Sequence, residues 1–461
     1  MPSSKQHPSS SPSTTATILA LAPLQPDLHE RAWVSVPHPT LPLLATAHCK
    51  GATVFSLATL SAHSALTGGH TRSVRSVAWR PGLAPHKLCL VTASFDSTAG
   101  LWRWDGDAAG GVELEREITA ARAARGSDGD DSDGDSAGGG DRDWEFTLVL
   151  EGHESEIKSC AFSPSGAYLA TSSRDKSVWI WDEYGTTTTG GGGGGGDQDE
   201  DEWETLAILN EHEGDVKAVA WCPDVPGRNA RRRFSADVLA SASYDNTVRV
   251  WREDSDGEWV CVAVLEGHAG TVWGVQWEPQ PDNDRFPRLL TFSADATVRV
   301  WTLKDDDDGN GDGTAPRSAL GGIPNTMRRS LREEWTCTAV LPKAHDRDIY
   351  AAAWSGASGL VASTGSDGII ALYRELEPPL QSSTAAGTNG DPPVTNGHAE
   401  SPAASWELLA SVPNAHGPYE VNHITWCRRY DAGSTRRGEE EMLISTGDDG
   451  VVRPWEVKLA S

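Results

Sequence analysis

Six times along the 461-residue chain a His is followed, 22 to 33 residues later, by an Asp and, six residues further on, by an aromatic ring. The sets are His70/Asp96/Trp102, His153/Asp175/Trp181, His212/Asp245/Trp251, His268/Asp295/Trp301, His345/Asp367/Tyr373 and His416/Asp449/Trp455. A recurring spacing of this kind marks a repeat architecture, in which each unit buries its apolar face against its neighbours. The chain therefore reads as one closed body, although its length would allow two or three ordinary domains. Most of the 19 Trp, against seven Phe and seven Tyr, recur at fixed repeat positions, which makes them packing residues first.

The grammar of a unit is plain in GHESEIKSCAFSPSGAYLATSSRDKSVWIW, residues 152 to 181. Ile157 to Phe162 is a short apolar strand, Pro164-Ser165-Gly166 a turn and Tyr168 to Ser172 a second strand; Arg174-Asp175-Lys176 is a tight turn and Ser177 to Trp181 a third strand. A fourth strand precedes each next His: Trp144 to Leu150, Trp203 to Leu209, Trp259 to Leu265, Trp335 to Leu341 and Trp406 to Val412. Residues 29 to 57 form a degenerate first unit, with His29 kept, Cys49 at the Asp position and Phe55 at the Trp position, which brings the count to seven. The last unit lacks a fourth strand and the chain begins with an unpartnered one, Ala16 to Leu24. Pairing the two closes a ring and covers two exposed edges. The expected fold is all-β: a seven-bladed propeller over 16–461 after a disordered leader, 1–15.

The net charge of −27 would repel nucleic acid and anionic membranes, but two segments, 105–143 and 182–202, carry 15 of those charges, leaving the folded body nearer neutral. The inserts, at about 105–143, 183–202, 303–334 and 375–404, are low in complexity and cannot build a core. All fall between third and fourth strands and so leave from one face of the ring, as do smaller inserts near 224–236 and 428–440; the opposite face is the place to look for function. The seven Cys are scattered with no paired spacing, as expected of reduced thiols, and no apolar run approaches the ~20 residues of a membrane span. Residues 16–24 read as a strand and not as a signal core.

The pairs Gly69-His70, Gly152-His153 and Gly267-His268, with Trp181-Asp182, resemble WD40 repeats. In that family the His, a Ser or Thr of the second strand, the turn Asp and the Trp share hydrogen bonds. Thr92, Thr171, Ser241, Thr291, Ser363 and Ser445 stand four residues before the Asp, which makes the sets internal ties and not catalytic dyads. Trp102, Trp181, Trp251 and Trp301 are thus candidates for a structural role, as the last members of their sets. More narrowly, VRSVAWRP (74–81), TASFDST (92–98), VLEGHESEIKS (149–159), SRDKSVWIW (173–181), SASYDNTVRVW (241–251) and VLEGHAGTVW (264–273) resemble the cytosolic iron-sulfur assembly WD40 protein, in a fungal-type form with long inserts. The resemblance implies a scaffold in the complex that delivers iron-sulfur clusters to cytosolic and nuclear apoproteins. It also implies partners: a small acidic targeting subunit, a HEAT-repeat adaptor, a hydrogenase-like cluster carrier and client apoproteins. A cytoplasmic and nuclear location follows from it. The alternative is a WD40 adaptor of another complex, such as a ubiquitin-ligase substrate receptor, which the fold alone permits.

Five residues after each His the first strand begins, near the mouth of a central channel. Arg75, Lys158, Lys217, Trp273 and Tyr350 stand there, with Trp33 and Asn422 at the matching places of the first and last units. The residue before each turn Asp gives a second ring: Phe95, Arg174, Tyr244, Ala294, Ser366 and Asp448. This spacing predicts Arg174 between Phe95 and Tyr244, above Arg75, Lys158 and Lys217, a setting suited to a peptide carrying a carboxylate and an aromatic side chain. The bland reading is that Arg174 is solvated or pairs with a neighbouring acid, whereas the family resemblance implies an Arg that faces a partner surface.

No nucleophile, base and orienting group can be identified together, and neither cofactor nor metal is expected. The run Asp308 to Gly313 opens like a calcium loop but has Ala319 at position twelve. His48-Cys49 has no second ligand pair at zinc spacing, and polyglycine 190–196 lacks the Gly-Lys-Ser/Thr of a phosphate loop. The chain shows no basic stripe for nucleic acid.

Overall fold

Short runs rich in β-branched and small apolar residues, bounded by turn residues every few positions, are too short for helices and alternate as strands do. A computed structural model of the chain describes residues 16–84, 86–105, 144–183, 202–229, 235–304, 332–376 and 405–460. The leader, most of each insert, the calcium-like run and the polyglycine lie outside them. The described strands form seven four-stranded antiparallel sheets. Blade 1 spans 32–66, blade 2 74–150, blade 3 157–209, blade 4 216–265, blade 5 272–340 and blade 6 349–412; blade 7 joins 421–459 to the N-terminal strand Ala16–Ala20. That strand pairs with Val452–Leu459, Ala16 opposite Leu459, and closes the ring.

It ends at Ala20 and not at Leu24 as the sequence suggests. Pro23 has no N–H to give a ladder, and the chain crosses to blade 1, where Gln25 N–H bonds Leu60 O at 3.0 Å and Gln25 O accepts from Ala62 N–H at 2.7 Å. Two of the expected fourth strands, Trp203–Leu209 and Trp259–Leu265, have the bounds expected, and the other three differ by a residue at one end, as Glu145–Leu150, Trp335–Val340 and Ser405–Val412.

The cores lie between blades. Cys89, Val91 and Leu101 of blade 2, for example, pack with Ile157, Phe162 and Trp181 of blade 3. Trp residues at the ends of inner strands reach across these seams: Trp79 Nε1 donates to Val36 O at 3.0 Å, Trp221 to Ala161 O at 2.9 Å, Trp277 to Ala220 O at 2.9 Å and Trp426 to Ala353 O at 3.1 Å. The indole thus fills an apolar seam while its N–H finds a partner.

The turn after each second strand is the same device six times. The residue following the Asp has a left-handed backbone, at φ 73° for Ser97, 74° for Lys176, 69° for Asn246, 60° for Ala296, 70° for Gly368 and 75° for Gly450. Only the last two are glycines, so the other four turns carry backbone strain that the Asp carboxylate offsets by accepting the N–H two residues on, as from Ser177 at 2.9 Å.

Blade 1 departs from its expected pattern. Phe55 is fully buried at a bulge like that of Trp181, but His29 is exposed, with φ 56°, and does not enter the blade. Ser35 and Thr46 hydroxyls bond at 2.8 Å and His48 Nε2 lies 2.9 Å from Thr53 Oγ1 instead.

Candidate partner-binding site at the channel mouth

Every inner strand carries one extra residue near its start. The pairing register slips between Ala32 and Val34, Val74 and Ser76, Ile157 and Ser159, Val216 and Ala218, Val272 and Gly274, Ile349 and Ala351, and Val421 and His423. The residues skipped are Trp33, Arg75, Lys158, Lys217, Trp273, Tyr350 and Asn422. A bulge leaves its extra residue unpaired and re-aims the side chain. Here seven bulges send seven side chains to the rim of one cavity of about 300 Å³, which Arg31, Phe95 and Glu420 also line. Below it the channel continues as a cavity of about 370 Å³ walled by the inner strands, with His423 among its lining.

The second ring is hung on the first. The backbone N–H of Phe95, Arg174, Tyr244, Ala294, Ser366 and Asp448 donates to the carbonyl of Ser73, Glu156, Asp215, Thr271, Asp348 and Glu420 respectively, at 2.8 to 3.1 Å. Phe95 enters the cavity and packs edge-on to Trp33, with ring centroids 5.9 Å apart. Arg174 and Tyr244 stand outside the cavity lining, 59 % exposed by side chain and 61 % exposed respectively.

The aromatic faces are occupied, but not by Arg174. Lys158 Nζ lies 4.3 Å from the Phe95 centroid, Lys217 Nζ 5.4 Å from both Tyr244 and Trp273, and Arg75 4.9 Å from Trp33. Arg174 reaches Glu156 only at 4.0 Å and is otherwise open to solvent. The expected clamp of two rings around this guanidinium is thus corrected: side chains rising from the bulges reach the rings first.

Sequence spacing also missed an acid two residues before four of the seven bulges. Glu156 accepts Lys158 at 2.6 Å and Arg72 at 2.7 Å, Asp215 accepts Lys217 at 3.1 Å, and Asp348 and Glu420 hold the matching places in blades 6 and 7. The signal was available, since residues two apart share a strand face. Burial by itself would raise the Glu156 carboxyl, but bonds from Lys158 and Arg72 hold it below its usual range. Burial, and then Arg31, lowers Arg75 to about 10. Burial, and then Arg75, lowers His423 to about 3, so this channel imidazole is neutral at physiological pH. Among the described residues no three of His, Cys, Asp and Glu are grouped to hold a metal ion, and no helix is long and apolar enough to cross a membrane.

The predicted ties are formed as hydrogen-bonded sets in blades 2 to 7. In blade 3, His153 Nδ1 lies 2.8 Å from Asp175 and Nε2 2.8 Å from Thr171 Oγ1, which also accepts Trp181 Nε1 at 2.9 Å. The same order joins His70, Thr92 and Trp102 in blade 2; His212, Ser241 and Trp251 in blade 4; His268, Thr291 and Trp301 in blade 5; and His416, Ser445 and Trp455 in blade 7. In blade 6 it joins His345, Ser363 and Tyr373, where the phenol replaces the indole.

The burial of these indoles sets them apart from the residues of the mouth. Trp102, Trp251 and Trp301 are only 4 %, 1 % and 4 % exposed, and Trp181 is as deeply buried. Each is a core residue that packs in a seam between blades, and none lines the cavity at the mouth. They cannot touch a partner, so their part in the protein is confined to packing and to the tie. The physical reason is that the third strand turns its aromatic ring into the apolar seam, where an indole gains most from leaving water and its N–H is satisfied by the Ser or Thr hydroxyl.

A closed ring of seven such blades is a WD40-repeat β-propeller, and residues 55–103, 144–182, 203–252, 259–302 and 335–374 match the family model of the WD domain, G-beta repeat. The similarity to particular proteins is closer still. A Neurospora crassa protein is 57% identical, covering 98% of both chains; one from Chaetomium globosum is 57% identical, covering 96% of both; one from Pyricularia oryzae is 59% identical, covering 95% of this chain and 96% of its own. Each bears the name probable cytosolic iron-sulfur protein assembly protein 1. The chain belongs to the cytosolic iron-sulfur protein assembly protein 1 family, a family of WD40 propellers.

Proposed function

We propose that the protein is a non-enzymatic scaffold of cytosolic iron-sulfur cluster assembly, which binds assembly factors and client apoproteins and positions them for cluster insertion. The names of its relatives support the process. The observation that carries the binding role is the mouth itself: seven bulges spend their extra residue on one cavity rim, and three of these residues are cations backed by aromatic rings. Such a rim suits a protein segment bearing a carboxylate and an aromatic side chain. The clusters ride on partners or clients. The partners in this reading are the small acidic targeting subunit, the HEAT-repeat adaptor and the hydrogenase-like cluster carrier, met in the cytoplasm and also in the nucleus.

Arg174 extends the rim outward. Arg174→Glu is expected to abolish capture of iron-sulfur assembly factors or clients from extract while moving the thermal midpoint little, because the side chain is exposed. Unchanged capture refutes the assignment of Arg174. Recovery of a cullin adaptor with no iron-sulfur factor overturns the scaffold reading.

A further inference from the structure

The charges at the mouth are compensated unequally. Lys158 and Lys217 each have a carboxylate on their own strand or its approach, Glu156 at 2.6 Å and Asp215 at 3.1 Å, and Arg31 has Asp448 at 2.5 Å. Among the described residues Arg75 has no carboxylate partner: it lies over Trp33, and the charges that act on it or feel it, Arg31 and Lys158, are like charges. Blades 6 and 7 present the reverse case. Asp348 accepts from Trp273 Nε1 at 3.0 Å and Glu420 from the Tyr350 hydroxyl at 3.2 Å, both neutral donors. Among the described residues neither carboxylate has a Lys or Arg partner. Trp273 and Tyr350 meet edge to face, with centroids 5.3 Å apart, beside these acids. One cavity is thus lined by an unpaired guanidinium on the blade 2 side and by the unpaired Glu420 on the blade 7 side.

We propose that the mouth takes a bipolar segment of a partner protein, with an acidic side chain seated on Arg75 and, in the same segment, a Lys or Arg seated against Glu420, Asp348 and the Tyr350 ring. The inference rests on the mouth being the binding site and names the chemistry it selects. A ligand of one sign would cover one of these charges without pairing it, which is costly, whereas a segment with both signs satisfies each wall and fixes its own direction across the channel. An aromatic face next to carboxylates favours a cation over a neutral group at the second seat.

Short random peptides displayed on phage and selected on the whole protein test this. Peptides from the wild type are expected to combine an acid and a base at a recurring spacing. The double variant Glu420→Gln with Asp348→Asn keeps the acceptors for Tyr350 and Trp273; it is expected to lose the basic enrichment about tenfold, the size of one partly desolvated ion pair, and to keep the acidic one. Arg75→Gln is expected to do the reverse. Acidic enrichment without basic enrichment, or basic enrichment equal in wild type and double variant, overturns the bipolar reading and leaves the mouth standing. Selected peptides indifferent to every mouth substitution overturn the mouth as well. A selected peptide with its base changed to Met, measured on the wild type by fluorescence anisotropy, gives the same answer with no variant protein; affinity unchanged there sinks the proposal.

Discussion

Blade 3 and blade 1 share four antiparallel strands, a bulged inner strand and a buried aromatic at the same place, yet only blade 3 has the His, Thr, Asp and Trp tie. In blade 1 two hydroxyl-centred bonds, Ser35 to Thr46 and His48 to Thr53, stand in its place. Burial of Leu43, Leu44, Val54 and Phe55 is therefore enough to form a blade, and the tie is an addition to it. What it adds is a fixed top loop. The Asp holds its turn, the imidazole links Asp to hydroxyl, and the hydroxyl takes the indole N–H, so three loops and strands are coupled. Blade 1 gets comparable support from ring closure: Arg31 pairs with Asp448, and Asn422 Nδ2 donates to Ala32 O at 3.0 Å.

The comparison can be broken most severely at Trp181. Trp181→Ala removes a buried indole and one member of the tie, and an unfolding loss of about 3–5 kcal/mol is expected in a denaturant titration. His153→Ala leaves Asp175 and Thr171 without their partner in a buried site, at a cost of about 1–3 kcal/mol by the same measurement.

Acid should act on the tied blades more than on blade 1, where burial lowers His38 to about 4 and also lowers His48, but residues 32–66 carry no Asp or Glu to add to the effect. Burial alone would raise the carboxyls of Asp96, Asp175, Asp245, Asp295 and Asp367, but hydrogen bonds from hydroxyls, backbone and His outweigh it; Asp295 falls to about 2 and the others also lie below their usual range. A depressed folded value means stability that is present above the unfolded pKa, near 4, and lost as pH falls from there through the folded values. Burial also lowers His70, His212 and His268, so the unfolded chain takes up protons first as pH drops below about 6.5, and this acts in the same direction. Hydrogen exchange followed from neutral pH to about pH 3.5, across this window, should therefore show blades 2 to 6 loosening before blade 1; uniform loosening would remove the distinction. Thr46→Val, which breaks the blade 1 substitute, is expected to cost about 1 kcal/mol. Smallest of all, His29→Ala should change stability by less than about 0.5 kcal/mol, because the side chain is exposed; a larger loss would restore His29 to the repeat.

The blades, their ties and the seven rim positions were legible because each depends on residues close in sequence. His153 and Asp175 lie 22 residues apart, and a bulge is made by consecutive residues of one strand. His29 misled because a matching letter does not report whether the backbone enters the blade. Arg174 misled because turn spacing shows where a residue starts and not which other side chain reaches the rings first. Glu156 and Asp215 were overlooked although the period of two marks them, so the basic arc looked barer than it is.

Period alone was enough for an all-β ring of seven units, since each unit's pattern repeats the same local physics of alternation, turn and buried aromatic. Which charges stay unpaired was left to tertiary structure, and so was the polarity of the mouth. Arg75 faces His423 and Arg31 because closing the ring brings blades 7, 1 and 2 side by side, and Arg31 meets Asp448 across 417 positions of chain. No local pattern encodes contacts of that span, because electrostatic compensation depends on distance in space, and the ring sets that distance only when it closes.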